Sequence, residues 1–227
     1  MKIKICGLFR EQDIDYVNEA KPDYAGFVLA ESKRKVSAAF AAQLRRRLSD
    51  DIIPVGVFVN APIADIVALY HENVISIAQL HGTEDDEYIS QLKKASASGE
   101  KKPVEIIKTI QLNEKTGTAT ARSKGNKTSP LPSFSATGAD YYLIDSGAGS
   151  GKAFNWELLN SANMTALKEA KPWFLAGGVG LDNIKQALRF NPYALDVSSG
   201  AETDGVKDRE KIVQLVSIVR GTQRKII

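Results

Sequence analysis

Side chains that could carry acid–base chemistry stand where the short β-rich runs of this chain end. Cys6, the single cysteine, closes the run KIKIC, and Asp145 closes YYLID. A thiolate can act as a base and a carboxyl group as an acid, although a lone cysteine is more often a small buried apolar residue. Other run ends carry further polar or small residues: Ser32 to Arg34, Asn60, Gln79, His81, Lys108, Gly177, Gly178, Asp196, Ser198, Ser199 and Gly200.

Two of these run ends have the composition of a phosphate site. Ala176-Gly177-Gly178 and Ser198-Ser199-Gly200 follow the seventh and eighth β-rich runs. Small residues let backbone N–H groups approach a phosphate closely, and barrels of alternating strands and helices often bind phosphate at these two loops. Each tripeptide alone is most often an ordinary turn. The pair predicts phosphate binding by Gly177, Gly178, Ser198, Ser199 and Gly200.

The elements that position these residues alternate between β-rich runs and segments with helical periodicity, which is typical of a parallel sheet. The predicted strands are Lys2–Cys6, Tyr24–Leu29, Pro54–Val59, Ile77–His81, Glu105–Leu112, Tyr141–Asp145, Trp173–Ala176 and Ala194–Ser198. The predicted helices are Glu11–Ala20, Ala38–Leu48, Ile63–Tyr70, Asp85–Ala95, Asn155–Ala170, Asn183–Phe190 and Asp208–Arg220. The first turn lacks the G-x-G-x-x-G pattern of an open doubly wound sheet, so we predict a closed (β/α)8 TIM barrel.

Residue alternation along the strands predicts which side chains point into the barrel. In KIKICG, the residues Lys2, Lys4 and Cys6 share one face, and two lysines require a polar environment such as the floor of an active site. In VGVFVN, we expect the valines to face the helices and the set Gly56, Phe58 and Asn60 to face the interior.

The fifth unit departs from the alternation. Between residues 113 and 139, 14 of 27 residues are Ser, Thr, Gly or Pro, which predicts a mobile surface loop that replaces or enlarges the fifth helix. The whole chain, residues 1–227, has the length of one barrel domain.

Composition argues against several other classes of protein. One cysteine allows no internal disulfide and no thiolate cluster for a metal. There is no apolar run long enough for a bilayer and no signal-peptide pattern near the start, so we expect a cytoplasmic protein without a membrane partner. Residues 113–139 account for the formal charge of +3, and no aromatic residues interleave the basic run Arg45 to Arg47, so we expect no nucleic-acid partner.

Six strings occur in an order that resembles the phosphoribosylanthranilate isomerase family of tryptophan biosynthesis. They are KICGL, VGVFVN, QLHG-x-E, LIDS followed by G-x-G-S-G-K-x-F-x-W, AGG, and DVSSG-x-E-x-x-G-x-K-D. They run from Lys4 to Asp208, and only the 113–139 region lies outside the pattern. The resemblance implies an Amadori rearrangement of N-(5-phosphoribosyl)anthranilate to the 1-deoxyribulose 5-phosphate isomer, with no metal and no organic cofactor.

The resemblance also implies roles for individual residues. Cys6 matches the family's general base and Asp145 its general acid, whose pKa we expect burial to raise. Lys4 is predicted as a substrate-binding residue, and it is placed to lower the pKa of the Cys6 thiol. Arg34 matches the position that contacts the anthranilate carboxylate, and His81 and Asp196 match polar site positions. The alternatives are packing for Cys6, a helix cap or loop turn for Asp145, and a solvated basic turn for Arg34. For His81 the alternative is an orienting hydrogen-bond partner or a satisfied core histidine, and for Asp196 it is a structural hydrogen bond to a neighbouring loop.

Three residues depart from the family pattern: Lys33 replaces a common proline, Phe9 a small hydroxyl residue and Ala201 a valine. Two other functions stay open: a related phosphosugar barrel, such as the histidine-pathway isomerase, which has an aspartate where Cys6 stands, and a barrel that acts only as a scaffold. The sequence does not distinguish a monomer from a homodimer.

Overall fold

Eight parallel strands close into a barrel in the computed structural model, which describes residues 1–112, 119–122, 128–130, 138–145, 156, 159 and 169–223. Around the barrel the order is β1, β2, β3, β4, β5, β8, β9 and β10, and β10 pairs with β1. The predicted (β/α)8 barrel is confirmed. The barrel strands are β1 Lys2–Cys6, β2 Tyr24–Val28, β3 Ile53–Phe58, β4 Ile77–Leu80, β5 Glu105–Leu112, β8 Tyr141–Asp145, β9 Trp173–Leu175 and β10 Ala194–Val197.

Helices cover the outside of the barrel. They are α1 Glu11–Ala20, α2 Ala38–Arg47, α3 Ile63–His71, α4 Asp86–Ser96, α5 Ile184–Arg189 and α6 Arg209–Gln223. Side chains cap the starts of α2, α4 and α6. Ser37 accepts a hydrogen bond from the Phe40 N–H, Asp85 accepts one from the Tyr88 N–H, and Asp208 accepts one from the Lys211 N–H. These bonds satisfy backbone donors that a helix start leaves open. No helix in the described part of the chain has the length and apolarity to cross a membrane.

The region between β5 and β8 differs in part from the predicted loop. Two short strands, β6 Ala119–Arg122 and β7 Thr128–Pro130, extend the sheet antiparallel to β5 and to each other. Most of the remaining 113–139 region, and most of the predicted helix Asn155–Ala170, lie outside the described residues. A second antiparallel pair, β11 Glu202–Thr203 and β12 Val206–Lys207, follows β10.

The two faces of β3 are the reverse of our expectation. Val55 packs in the cluster that fills the barrel interior, and Val57 lines the cavity above that cluster. Phe58 instead belongs to the layer between strands and helices. A Cβ on Gly56 would lie 2.7 Å from the Phe58 ring and 3.0 Å from Ile75. The prediction was wrong because both faces of this strand are apolar and composition alone does not distinguish them.

The two lysines of β1 occupy opposite ends of the barrel. The ammonium group of Lys2 lies 3.3 Å from the Tyr24 hydroxyl and 4.9 Å from the centroid of the Tyr193 ring, at the end where β1 begins. Lys4 lies one layer further along the interior and is fully buried. Only Lys4 therefore reaches the level of the cavity.

Candidate active site

A cavity of about 360 Å³ opens at the end of the barrel where the strands finish. Most residues that we predicted for the site line it: Cys6, Arg34, His81, Asp145, Gly177, Gly178, Asp196, Ser198 and Ser199. Gly200 lines a neighbouring cavity that shares Gly178 and Ser199 with the first. In the described part of the chain, no group of three or more His, Cys, Asp or Glu side chains could hold a metal.

Lys4 forms the buried floor beside this cavity. It is 0% exposed, and its ammonium group donates to Asp196 Oδ1 at 3.0 Å and to Gln79 Oε1 at 2.7 Å. Register explains the first contact, because Lys4 and Asp196 are direct neighbours on β1 and β10. The buried charge thus has a carboxylate and an amide partner, as such a charge requires.

Cys6 lies at the end of β1 and is 7% exposed. Burial raises the pKa of its thiol, and the carboxylate of Asp196 adds to that rise, whereas the positive charge of Lys4 lowers it. The net pKa is raised. Lys4 therefore acts in the direction that we expected from the sequence, but the expected net lowering is not found, because desolvation of the thiolate is the larger effect.

Asp145 faces His81 across the mouth of the barrel. Asp145 Oδ2 lies 3.5 Å from His81 Nε2, and the Asp145 side chain is 20% exposed. On its other side, the His81 ring contacts Gln79 Nε2 at 3.3 Å and Thr109 Oγ1 at 3.1 Å through Nδ1. The carboxyl group of Asp145 is therefore partly exposed at the cavity and lies next to an imidazole ring.

Arg34 is held by a carboxylate of this chain. Its Nε and Nη2 donate to the two oxygens of Glu202 at 2.6 and 2.7 Å, and Glu202 also accepts from Lys207 Nζ at 2.6 Å. Lys207 in turn donates to the Ser198 carbonyl oxygen at 3.0 Å. The bidentate pair fixes the plane of the guanidinium group, which still lines the cavity.

The two predicted phosphate loops lie side by side. Gly177 and Gly178 have φ values of +85° and +76°, which favour glycine. A Cβ on Gly200 would lie 2.0 Å from the Val179 carbonyl oxygen, so the close approach of the two loops requires a glycine there. The Ser198 hydroxyl donates to the Cys6 carbonyl oxygen at 3.2 Å, which joins these loops to the end of β1.

Sequence reasoning assigned no role to five polar residues that support the site, although it had placed Gln79 and Lys108 among the polar run ends. Besides Gln79, Glu202 and Lys207, these are Glu84 and Lys108, which form a buried ion pair of 2.9 Å behind the loop that carries His81. Glu84 also accepts from the backbone N–H groups of Asn60 and Gly82. The signal was present, since four of the five stand in the quoted strings QLHG-x-E and SSG-x-E-x-x-G-x-K-D.

Comparison with known proteins agrees with this geometry. The family model for N-(5'phosphoribosyl)anthranilate (PRA) isomerase matches residues 3–218. The chain belongs to this family. An N-(5'-phosphoribosyl)anthranilate isomerase from Endomicrobium trichonymphae is 44% identical over 225 residues, which cover 96% of this chain and 98% of the relative.

Solved structures of the family share the fold. Phosphoribosyl anthranilate isomerase from Thermus thermophilus matches with a TM-score of 0.77 and 27% identity, and covers 98% of this chain and 100% of its own. Monomers generated from the dimeric enzyme of Thermotoga maritima match with a TM-score of 0.75 and 25% identity, over 97% of this chain and 99% of theirs.

The three residues that depart from the family pattern lie in different surroundings. The Phe9 ring packs against the core, and the Arg10 guanidinium lies 5.7 Å from its centroid. The Phe9 N–H donates to Asp13, so the backbone of this loop is fixed independently of the side chain at position 9. Ala201 is fully buried in the core, whereas Lys33 is exposed at the rim of the cavity.

Proposed function

We propose that this protein isomerises N-(5'-phosphoribosyl)anthranilate to 1-(2-carboxyphenylamino)-1-deoxyribulose 5-phosphate, an Amadori rearrangement in tryptophan biosynthesis. The observation that carries the proposal is that Cys6, Asp145, Arg34 and the two glycine loops line one cavity at the C-terminal end of the barrel. That end is where barrels of this type perform their chemistry.

The first step is opening of the ribose ring. Asp145 donates a proton to the ring oxygen as the C1–O bond breaks, and the anthranilate nitrogen lone pair forms a protonated imine at C1. Asp145 is left as a carboxylate, next to the His81 ring at 3.5 Å. An acid in this position supplies the proton that the leaving oxygen needs.

The second step is removal of the C2 proton. The protonated imine draws electrons from the C2–H bond, so a thiolate at Cys6 takes this proton and an enol amine forms, which tautomerises to the ketone. Burial raises the pKa of the Cys6 thiol and the nearby Lys4 charge partly offsets that effect. Lys4 thus supports the base without touching the substrate carbon.

Three groups orient the substrate in this proposal. Arg34 contacts the anthranilate carboxylate with the guanidinium edge that Glu202 leaves open to the cavity. Gly177, Gly178, Ser198, Ser199 and Gly200 bind the phosphate. Asp196 and His81 lie at the cavity wall, where they can contact the ribose hydroxyl groups.

The fluorescence of the anthranilate substrate gives a direct test. Purified protein should abolish this fluorescence as the substrate is isomerised, and Cys6→Ser and Asp145→Asn should each slow the reaction by about 100-fold or more. The proposal fails if wild-type protein gives no turnover, or if both variants are as fast as wild type. The exposed substitution Asp50→Asn is the matched control and should leave the rate unchanged.

The same assay separates the other candidate functions. The histidine-pathway substrate carries a different group on the same phosphoribosyl amine, and a barrel with Cys6 in place of the aspartate should not turn it over. A scaffold protein would turn over neither substrate. We further propose that the protein acts in the cytoplasm, that it needs no cofactor, and that it is a monomer or a homodimer.

A further inference from the structure

A continuous row of polar side chains crosses the barrel interior from Asp196 to Asp145. Lys4 Nζ bonds to Asp196 Oδ1 at 3.0 Å and to Gln79 Oε1 at 2.7 Å. Gln79 Nε2 then lies 3.3 Å from His81 Nδ1, and His81 Nε2 lies 3.5 Å from Asp145 Oδ2. The row therefore connects the surroundings of Cys6, the proposed base, to Asp145, the proposed acid.

The direction of each hydrogen bond in this row follows from Lys4. An ammonium group has donors and no acceptor, so the Gln79 oxygen must be the atom that faces it. The Gln79 amide NH2 is then the atom that faces His81. Gln79 is 2% exposed, so its amide is almost entirely shielded from bulk water.

His81 Nδ1 must accept the hydrogen bond that Gln79 donates. A neutral imidazole carries its proton on one nitrogen only, so His81 carries it on Nε2. The Thr109 hydroxyl lies 3.1 Å from the same Nδ1 and can donate to it as well. The Nε2–H group that results points toward Asp145 Oδ2.

We propose that Gln79 is a positioning residue for the isomerisation, because it holds His81 as the neutral Nε2–H tautomer that orients the carboxyl group of Asp145. Oδ2 accepts from His81, and Oδ1 carries the proton that the substrate receives. This inference rests on the proposed function.

The substitution Gln79→Glu tests the proposal with little change in shape. The new carboxylate accepts from Lys4, and it also accepts from His81, which favours a proton on Nδ1. We expect kcat to fall by about 100-fold with little change in KM. If Gln79 only fills space beside Lys4, the stronger ion pair with Lys4 leaves kcat at the wild-type value, and that result would overturn the proposal. Gln214→Glu, on the exposed face of α6, is the control for added charge.

Nitrogen NMR reports the tautomer without reference to activity. The chain has two histidines, and His71 is exposed on α3, so His71→Gln leaves His81 as the single imidazole. At pH 7 we expect an unprotonated Nδ1 and a protonated Nε2, and we expect a protonated Nδ1 after Gln79→Glu. A protonated Nδ1 in the parent protein refutes the proposal.

A second variant keeps the test decisive if Gln79→Glu does not fold. Gln79→Met removes the amide donor without adding charge, and we expect a mixture of His81 tautomers with a smaller loss of kcat. An unchanged tautomer together with an unchanged kcat would overturn the inference. If wild-type protein shows no turnover, the proposed function fails, whereas the NMR result still decides which nitrogen carries the proton.

Discussion

The sulfur of Cys6 lies directly against Gly26, its neighbour on β2. The two residues are paired in the register of β1 and β2, and a Cβ on Gly26 would come within 2.8 Å of the Cys6 Sγ and 3.0 Å of its Cα. We therefore expect Gly26→Ala to displace the thiol and reduce kcat by about 100-fold, the effect of a misplacement of about 1 Å. Steady-state kinetics measure this loss.

The control for that substitution is Gly221→Ala. A Cβ at Gly221 meets nothing within 4 Å, and the residue lies in α6, where alanine favours the helix. We expect full activity from Gly221→Ala. Wild-type kcat in Gly26→Ala would show that the thiol has room to move and would contradict the prediction.

The raised pKa of Cys6 predicts how the reactivity of its thiol depends on pH. Burial raises the pKa of the thiol against the opposing charge of Lys4. The thiolate fraction therefore increases as pH rises, so the rate at which Cys6 is alkylated should climb through the neutral range and level off above the ordinary thiol value of about 8.5. A plateau that begins below pH 7 would contradict this prediction.

Iodoacetamide gives a direct measure of this ionisation. Cys6 is the only cysteine of the chain, and the thiolate is the form that reacts with iodoacetamide. Lys4→Gln should shift the curve of alkylation rate against pH to higher pH, because the thiolate loses a stabilising positive charge.

The sequence predicts those features of the fold and the candidate site that depend on residues close together in the chain. The alternation of β-rich runs and helical segments predicts the barrel. The ends of the strands predict that Cys6 and Asp145 line the same cavity, because both features follow from chain order. The position of Lys4 near Cys6 can also be predicted, because Lys4 stands two residues before Cys6 on the same strand. The inward face of β3 does not follow, since valine suits either side of a parallel strand.

Partners that are distant in sequence are the part that could not be predicted. Arg34 pairs with Glu202, 168 positions later, and Lys4 reaches Gln79 from another strand. The net pKa of Cys6 depends on burial, which a sequence does not measure. Long-range pairing and desolvation are properties of the folded interior.

Glu202→Gln should weaken both stability and substrate binding. Burial raises the pKa of Glu202, but hydrogen bonds from Arg34 and Lys207 outweigh it, and the net pKa is lowered. Loss of this carboxylate leaves Lys207 buried without its anionic partner, so we expect a loss of about 3 kcal/mol in unfolding free energy at pH 7. Arg34 also loses its orientation, so KM should rise more than kcat falls.

The sign of the pH effect follows from the lowered pKa. The folded pKa lies below the unfolded value of about 4.3, so the contribution of Glu202 is complete above that pH and is lost as pH falls through the folded value. Urea unfolding from pH 7 to pH 3 should therefore show a smaller acid loss in Glu202→Gln than in wild type. Glu31→Gln, which removes a surface ion pair with a side chain 89% exposed, is the control and should follow the wild-type curve. Parallel curves for wild type and Glu202→Gln would refute the prediction.

The buried pair Glu84 and Lys108 should stabilise the loop that carries His81. Their side chains are 1% and 4% exposed, and Glu84 also accepts from the Gly82 N–H. Glu84→Gln leaves the Lys108 ammonium group with the Gly82 carbonyl oxygen and without a carboxylate. We expect about 3 kcal/mol less unfolding free energy, measured by urea unfolding. The double variant Glu84→Gln with Lys108→Met removes both charges and should recover much of that loss. If the losses of the two single variants add in the double variant, the ion pair itself contributes little.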